Sequence, residues 1–516
     1  MNDPSAILRT LIIYAVCAPA AVFIGYLLAN PLDYSTVALY GILALVLVSP
    51  LLLRWHHWVL LLSWTWYMNL FFLKGSPPPW LAMTVISLLI SVLQRTLSRQ
   101  SQFIRVPEIT LPLIILAVVV LGTAKLTGGF GLRMLGNDVY GGKKYVLIIG
   151  AILGYFALTA LRIPPGRARL AMALFFLGGI SAIIGELSLV LPSGFNLLFW
   201  FFSPDSYASS MDVSGRLLVT RYSYAVPFAI ATTSYMLAYY GIRGIFLARK
   251  PWRCIIFGLS SLAGLLGGFR GFAGSLVLVF LIQFFLEGMH RTKLLPVFGM
   301  LGVAATLLII PLTPSLPLSA QRALAFLPLP VDPDAERDAT DSWEWRTKMW
   351  QALLPQIPKH LLLGKGCSFS ADDYQFMGQN AFHSVDAGQQ SLALSNDYHN
   401  GWLSVLLLFG IWGMIAFVWF GVAAIHVLYC NYRYGDASLR TANAFLLASF
   451  VVKFLLFMSV SGTGLHGDLY FFVGWLGLGV SLNGGVCHPP ALQPDAAPKP
   501  DVLTRPFPRP RPVFQR

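Results

Sequence analysis

The chain has 516 residues, 56% of them hydrophobic and only 11% charged, with a mean hydropathy of +0.67. A soluble protein carries about 25% charged residues, so this composition excludes a soluble enzyme and indicates an integral membrane protein. The net charge of +14 is therefore assigned to membrane topology and anionic lipid, and nucleic acid is excluded as a partner.

Apolar runs recur from the N-terminus to about residue 483, centred near residues 18, 45, 65, 87, 115, 153, 180, 230, 260, 280, 303, 415, 452 and 476. Runs of this length predict helices and not a barrel of alternating strands. The expectation is an all-α, polytopic membrane protein with 12–14 transmembrane helices. The first run, Leu8–Leu28, lacks a cleavage site and reads as an uncleaved first span. With the N-terminus placed in the cytoplasm, the short loops on that side hold sixteen basic residues, among them Arg95, Arg99, Arg105, Arg162, Arg243 and Arg433. The short loops on the other side hold seven. By the positive-inside rule both termini are cytoplasmic and the long loop before Tyr398 is external.

Four regions result. Residues 1–312 are N-terminal spans, 313–398 a large external loop with short helices, 399–483 C-terminal spans, and 484–516 a basic, Pro-rich tail expected to be disordered and cytoplasmic. The loop opens with Pro311, Pro314, Pro317, Pro328, Pro330 and Pro333, which should be extended. Asp341-Ser-Trp-Glu344 then reads as a capping box, predicting a helix over about Ser342–Leu354. The run from Gly366 to Asn396 is polar and could form a lid. Five cysteines without paired spacing imply neither disulfides nor a zinc site. No internal repeat or nucleotide-binding motif is found.

The residues that could carry chemistry gather at the external boundary. His399, in Asp397-Tyr-His-Asn-Gly401, stands where the loop enters an apolar helix and can exchange a proton near neutral pH. Its bland alternative is an interfacial histidine. Gly410 and Gly413 should share one helical face and admit a neighbouring helix. Arg270, in Gly267-Gly-Phe-Arg-Gly271, can fork onto phosphate oxygens or simply snorkel to the interface. Arg346 could add a second charge, or pair with Glu344. Arg216 and Arg221 complete a cluster or form local ion pairs. Lys453 lies mid-span and is functional or bound to a partner such as Glu186. Asp372 and Asp373 read as a solvated turn in preference to a metal site, and His466 with Asp468 borders the same face. A histidine with several arginines and no carboxylate pair suits displacement of a phosphate leaving group. His399 would take the proton of an attacking hydroxyl, with Asp397 orienting it.

These blocks resemble the bacterial O-antigen ligase and O-antigen polymerase superfamily. The ligase pattern of His, then Asn, Ser or Gln, nine residues, Gly, two residues and a third Gly, Thr or Tyr matches His399-Asn400, Gly410 and Gly413. Phe269-Arg270-Gly271 resembles an arginine-glycine block, with Phe in place of a small polar residue. Arg346 to Trp350 and His360 to Gly366 resemble a block of the large loop. The resemblance implies an undecaprenyl-diphosphate-linked glycan donor, a glycan or glycolipid acceptor, inner-membrane residence and a periplasmic active site without metal or cofactor. It implies catalytic roles for His399, Arg270 and Arg346, and substrate binding by Arg216, Arg221, Asn400, Asp397 and Trp350. Within the superfamily, ligases attach the glycan to lipid A–core and polymerases extend a lipid-linked glycan. A transporter or flippase of lipid-linked glycan is the alternative of another class, and should show repeated halves or broken helices.

Overall fold

A computed structural model describes residues 21, 22, 25, 34–73, 75–97, 103–127, 142–189, 191–202, 209–211, 217–367 and 396–489. Arg216, Asp372, Asp373, most of the first apolar run, the run from 368 to 395 and the tail beyond 489 lie outside these residues.

The fold is built from helices: α1 Tyr34–Ser63, α2 Pro79–Leu97, α3 Pro107–Thr127, α4 Gly142–Leu158, α5 Ala168–Leu177, α6 Ala225–Phe246, α7 Pro251–Leu265 and α8 Arg270–Leu286. Then follow α9 Leu294–Leu312, α10 Leu318–Leu324, α11 Pro333–Leu353, α12 Gly401–Tyr434, α13 Arg440–Leu456 and α14 Leu465–Asn483. Two short antiparallel strands, β1 Ser209–Met211 and β2 Leu217–Thr220, are the exception. Among the described residues seven helical stretches are long and apolar enough to cross a membrane, or eight with the bent α1. The chain is a polytopic helical membrane protein. Among the described residues, segments 45 and 65 share α1, which contains Pro50, and segments 260 and 280 form α7 and α8, with only 15 and 17 residues.

The innermost helices are the last three. Phe417, Phe450, Phe457 and Phe472 are fully buried between α12, α13 and α14, with Phe417 5.2 Å from Phe457 and Phe450 5.4 Å from Phe472. α14 packs on α4, α12 on α3, and α13 on α6 and α8. This core holds the two ends of the bundle apart. At one end Ile104 N–H donates to Thr159 O at 3.2 Å, Ile163 N–H to Ser481 O at 2.9 Å, and Tyr432 Oη to Leu286 O at 2.6 Å. At the other, Cys367 N–H donates to Tyr145 Oη at 2.7 Å and Thr123 Oγ1 to Leu363 O at 3.1 Å. The loops that the charge bias assigns to one face are thus joined to each other.

The two glycines after His399 act differently from expectation. Gly410 is a break inside α12, with φ 65° and ψ −167°. What approaches is a turn and not a helix. Lys365 N–H donates to Leu407 O at 2.6 Å, Gly366 N–H to Leu408 O at 2.9 Å, and Ile411 N–H to Leu361 O at 2.7 Å. The turn thereby satisfies carbonyls that the break releases. A Cβ on Gly410 would stand 2.6 Å from Leu362 O, and its backbone region is essentially restricted to glycine, at a cost of about 1–3 kcal/mol for other residues. Gly410→Ala should therefore lower the thermal midpoint in detergent by an amount equivalent to about 2 kcal/mol or more. Gly299→Ala, where a Cβ meets nothing within 4 Å, should not. Equal midpoints for the two variants would show that the break is dispensable.

Candidate active site

The large loop is more helical than its prolines suggest. Pro311 lies inside α9, Pro314 in a 3₁₀ turn and Pro317 caps α10. α11 starts at Pro333, nine residues before the expected Ser342, because Asp332 caps it by accepting Asp334 N–H at 2.9 Å. Proline at the first helical position lacks an N–H that would go unpaired there anyway, so Asp332-Pro333 outcompetes Asp341 as a start. The longer helix brings Asp338, Trp345, Arg346 and Trp350 to the site on one rigid element.

His399 has φ 48°, a left-handed conformation rare for a residue with a Cβ. Asp397 Oδ1 lies 3.0 Å from its Nδ1 and accepts its backbone N–H at 3.3 Å. The Trp345 ring meets the imidazole edge to face at 5.5 Å, and about 20% of the His399 side chain remains exposed. Asn400 is committed to structure: its Oδ1 caps α12 by accepting Leu403 N–H at 3.2 Å, and its Nδ2 donates to Ser459 O at 3.1 Å.

Ser459 belongs to a π-helical turn, Phe457–Ser461, that ends α13. Such a turn frees carbonyls from the i to i−4 pattern. The neighbouring Val460 O accepts from Arg346 Nη1 at 3.2 Å. Arg346 points inward, and its buried Nε has no hydrogen-bond partner among the described residues. Glu344 does not pair with it, but lies 3.8 Å from Lys348 on the exposed face. Burial first, then the like charges of Arg270 and Arg322, lower the pKa of Arg346, while Asp397 opposes them. It stays a cation, held where a further anion would relieve it.

Arg270 opens α8 after the turn Gly267–Phe269, and makes no hydrogen bond or ion pair among the described residues. Arg221 does not share that freedom. Its Nη2 donates to both oxygens of Asp338, at 3.1 and 2.8 Å. The same carboxylate accepts from Arg322 Nε, and Arg322 Nη1 donates to Gly268 O. Gly268, with φ 70°, presents that carbonyl in a conformation suited to glycine. Arg322 was not among the sequence candidates; an arginine in the mid-loop run Ser319-Ala-Gln-Arg322 carries no boundary signal. Burial pushes the Asp338 carboxyl up, but Arg322 and Arg221 outweigh it and hold it below the ordinary carboxylate range. A depressed folded pKa means that the fold favours the ionised form. Its contribution is present at neutral pH and is lost only as pH falls through that lowered value. Asp338→Asn would leave Arg322, whose side chain is 5% exposed, without its carboxylate. A thermal-stability loss equivalent to about 3 kcal/mol or more is expected, and an unshifted midpoint would contradict it.

Lys453 pairs with Asp468 at 2.6 Å, while Glu186 instead accepts Tyr224 N–H at 2.9 Å. Asp468 Oδ2 also accepts from Thr463 N and Oγ1, both at 2.8 Å. The lysine lines an apolar cavity of about 250 Å³ between α6, α8, α13 and α14, bounded by Gly271 and Ser461, the neighbours of Arg270 and Val460. Trp350, expected at the substrate, has its indole N–H engaged by Tyr398 O at 2.7 Å. Among the described residues no three His, Cys, Asp or Glu side chains come together as a metal site.

The site thus gathers four guanidinium groups, from Arg221, Arg270, Arg322 and Arg346, and two carboxylates, one of them beside the imidazole. Residues 235–418 match the O-antigen ligase family. The match covers a little over a third of the chain, and over that stretch the chain is similar to this family. The matched stretch runs from α6 into α12 and contains Arg270, Arg322, Asp338, Arg346, His399, Gly410 and Gly413; Arg221 and Lys453 fall outside it. No curated protein sequence matches the chain. That similarity supports a membrane role of glycosyltransferase type in O-antigen processing.

Proposed function

We propose that the protein transfers a glycan from undecaprenyl diphosphate to a saccharide hydroxyl on the periplasmic face of the inner membrane, with lipid A–core as acceptor. The observation that carries this reading is the pairing of Arg270 and Arg346, neither on a carboxylate, with an imidazole whose Nδ1 faces Asp397. Asp397 favours the tautomer with the proton on Nδ1, leaving Nε2 as the base. Nε2 takes the acceptor hydroxyl proton as that oxygen bonds to the anomeric carbon. The bond from this carbon to the phosphate oxygen breaks, and undecaprenyl diphosphate leaves with the electron pair. Arg270 and Arg346 stabilise the charge that develops on it. The bond energy resides in the donor, so no nucleotide is needed. The apolar cavity beside Gly271 is suited to the lipid end of the donor. The surplus of basic residues on the loops at the opposite end supports cytoplasmic termini and a periplasmic site.

The test incubates purified protein with undecaprenyl-diphosphate glycan and either lipid A–core or a second portion of lipid-linked glycan. A single glycosylated lipid A–core product supports the ligase reading. A ladder formed from lipid-linked glycan alone would replace it with a polymerase, and transfer to neither acceptor would reject the reaction.

A further inference from the structure

We propose that Trp350 is a positioning residue for His399, holding through its indole N–H the single peptide group that sets where the imidazole points. This rests on the reading of His399 as the proton acceptor. The peptide group between Tyr398 and His399 is fastened at both ends. Its carbonyl accepts from Trp350 Nε1 at 2.7 Å, and its N–H donates to Asp397 Oδ1 at 3.3 Å. The two contacts matter because His399 and Asn396 both have left-handed backbones, φ 48° and 59°. A non-glycine residue in that region relaxes to the right-handed or extended regions unless its surroundings hold it. Rotation of the Tyr398–His399 peptide plane during such relaxation breaks both hydrogen bonds and turns the Cα–Cβ bond of His399 away from Asp397 and Trp345.

The rest of the turn is held from its own side. Tyr398 is fully buried, and its Oη donates to Asn396 Oδ1 at 3.1 Å. Trp350 supplies a restraint from outside, 48 residues earlier in the chain. It does so from α11, one helical turn beyond Arg346 and on the same face. Base and guanidinium are therefore referred to one rigid helix, and Trp345 of that helix meets the imidazole edge. Trp343 packs edge to face on Trp350 at 5.8 Å and steadies the indole.

The test uses the full-length protein and the donor–acceptor assay. Trp350→Phe retains a ring against Trp343 but has no donor. It should lower kcat by about 10- to 100-fold, as a misplaced reacting group does, while the donor KM moves by less than about twofold. In the His399→Ala background the same substitution should cost almost nothing further, because there is no imidazole left to aim. A purely structural role would instead give similar losses in both backgrounds, and that result, or an unchanged kcat, overturns the proposal. Should Trp350→Phe fail to fold, the sulfur isostere of tryptophan, benzothienylalanine, at position 350 removes the N–H with the shape kept, and the same two comparisons decide. If His399→Ala alone leaves transfer intact, the reading of His399 is lost and the proposal with it. If His399→Ala is inactive and Trp350→Phe fully active, only the positioning role is lost.

Discussion

Replacing His399 by alanine is expected to lower glycan transfer by about 10²- to 10⁴-fold or more, the range that a positioned proton acceptor contributes. The protein should remain folded. His399 is partly exposed and packs only edge-on to Trp345, and the turn that carries it is held by Asn396, Asp397, Tyr398 and Trp350. The thermal midpoint and donor binding should change little, because in the proposed reaction the imidazole acts on the acceptor hydroxyl and arginines hold the diphosphate. The measurement is product formation from purified protein, lipid-linked donor and acceptor, beside a thermal melt. Transfer within threefold of the parent chain would remove His399 from the reaction.

Arg270→Lys is the second large effect, with an expected fall in transfer of about 10²-fold. Lysine keeps the charge, so the loss isolates geometry. A guanidinium meets two phosphate oxygens with two parallel N–H groups, and an ammonium presents one point charge on a more mobile stem. Arg270 is the sharper test among the arginines because of its neighbours. Arg221 and Arg322 are tied to Asp338, and Arg322 also holds Gly268 O. Their replacement disturbs the junction of α10, α11 and the turn before α8, mixing stability with chemistry. Arg270 has no such tie among the described residues. Product release rates together with kcat at saturating donor separate the cases. A lysine variant with unchanged kcat would show that no paired contact with the leaving group forms there.

How much of this was legible in the sequence follows from where a signal arises. Ionisable residues at the edge of apolar runs stand out because burial without a partner is costly. His399, Asp397 and Arg270 were therefore visible as candidates, Arg346 stood out only through its Trp343-Glu-Trp-Arg346 stretch in the loop, and the helical membrane class was visible from hydropathy alone. The glycines of the motif were visible, but their use was not. Gly410 looked like a contact point on a regular helix, whereas it is the break through which the Leu361–Gly366 turn reaches the backbone of α12. Two capping signals nine residues apart compete for the start of α11; Asp332-Pro333 wins locally, and the packing of Asp338 against Arg221 and Arg322 rewards that earlier start.

The composition and the spacing of apolar runs were enough to determine a polytopic helical membrane protein. That follows because the membrane imposes a local requirement, span by span, which each stretch of sequence must meet by itself. Tertiary structure alone decided which charges are free. Asp338 engages Arg221 from 117 residues away and Arg322 from 16, Trp350 reaches Tyr398 across 48, and Arg346 reaches Val460 across 114. Contacts of that separation leave no periodicity behind, so whether an arginine is tied to a carboxylate or left open to an anion emerges only when the helices pack.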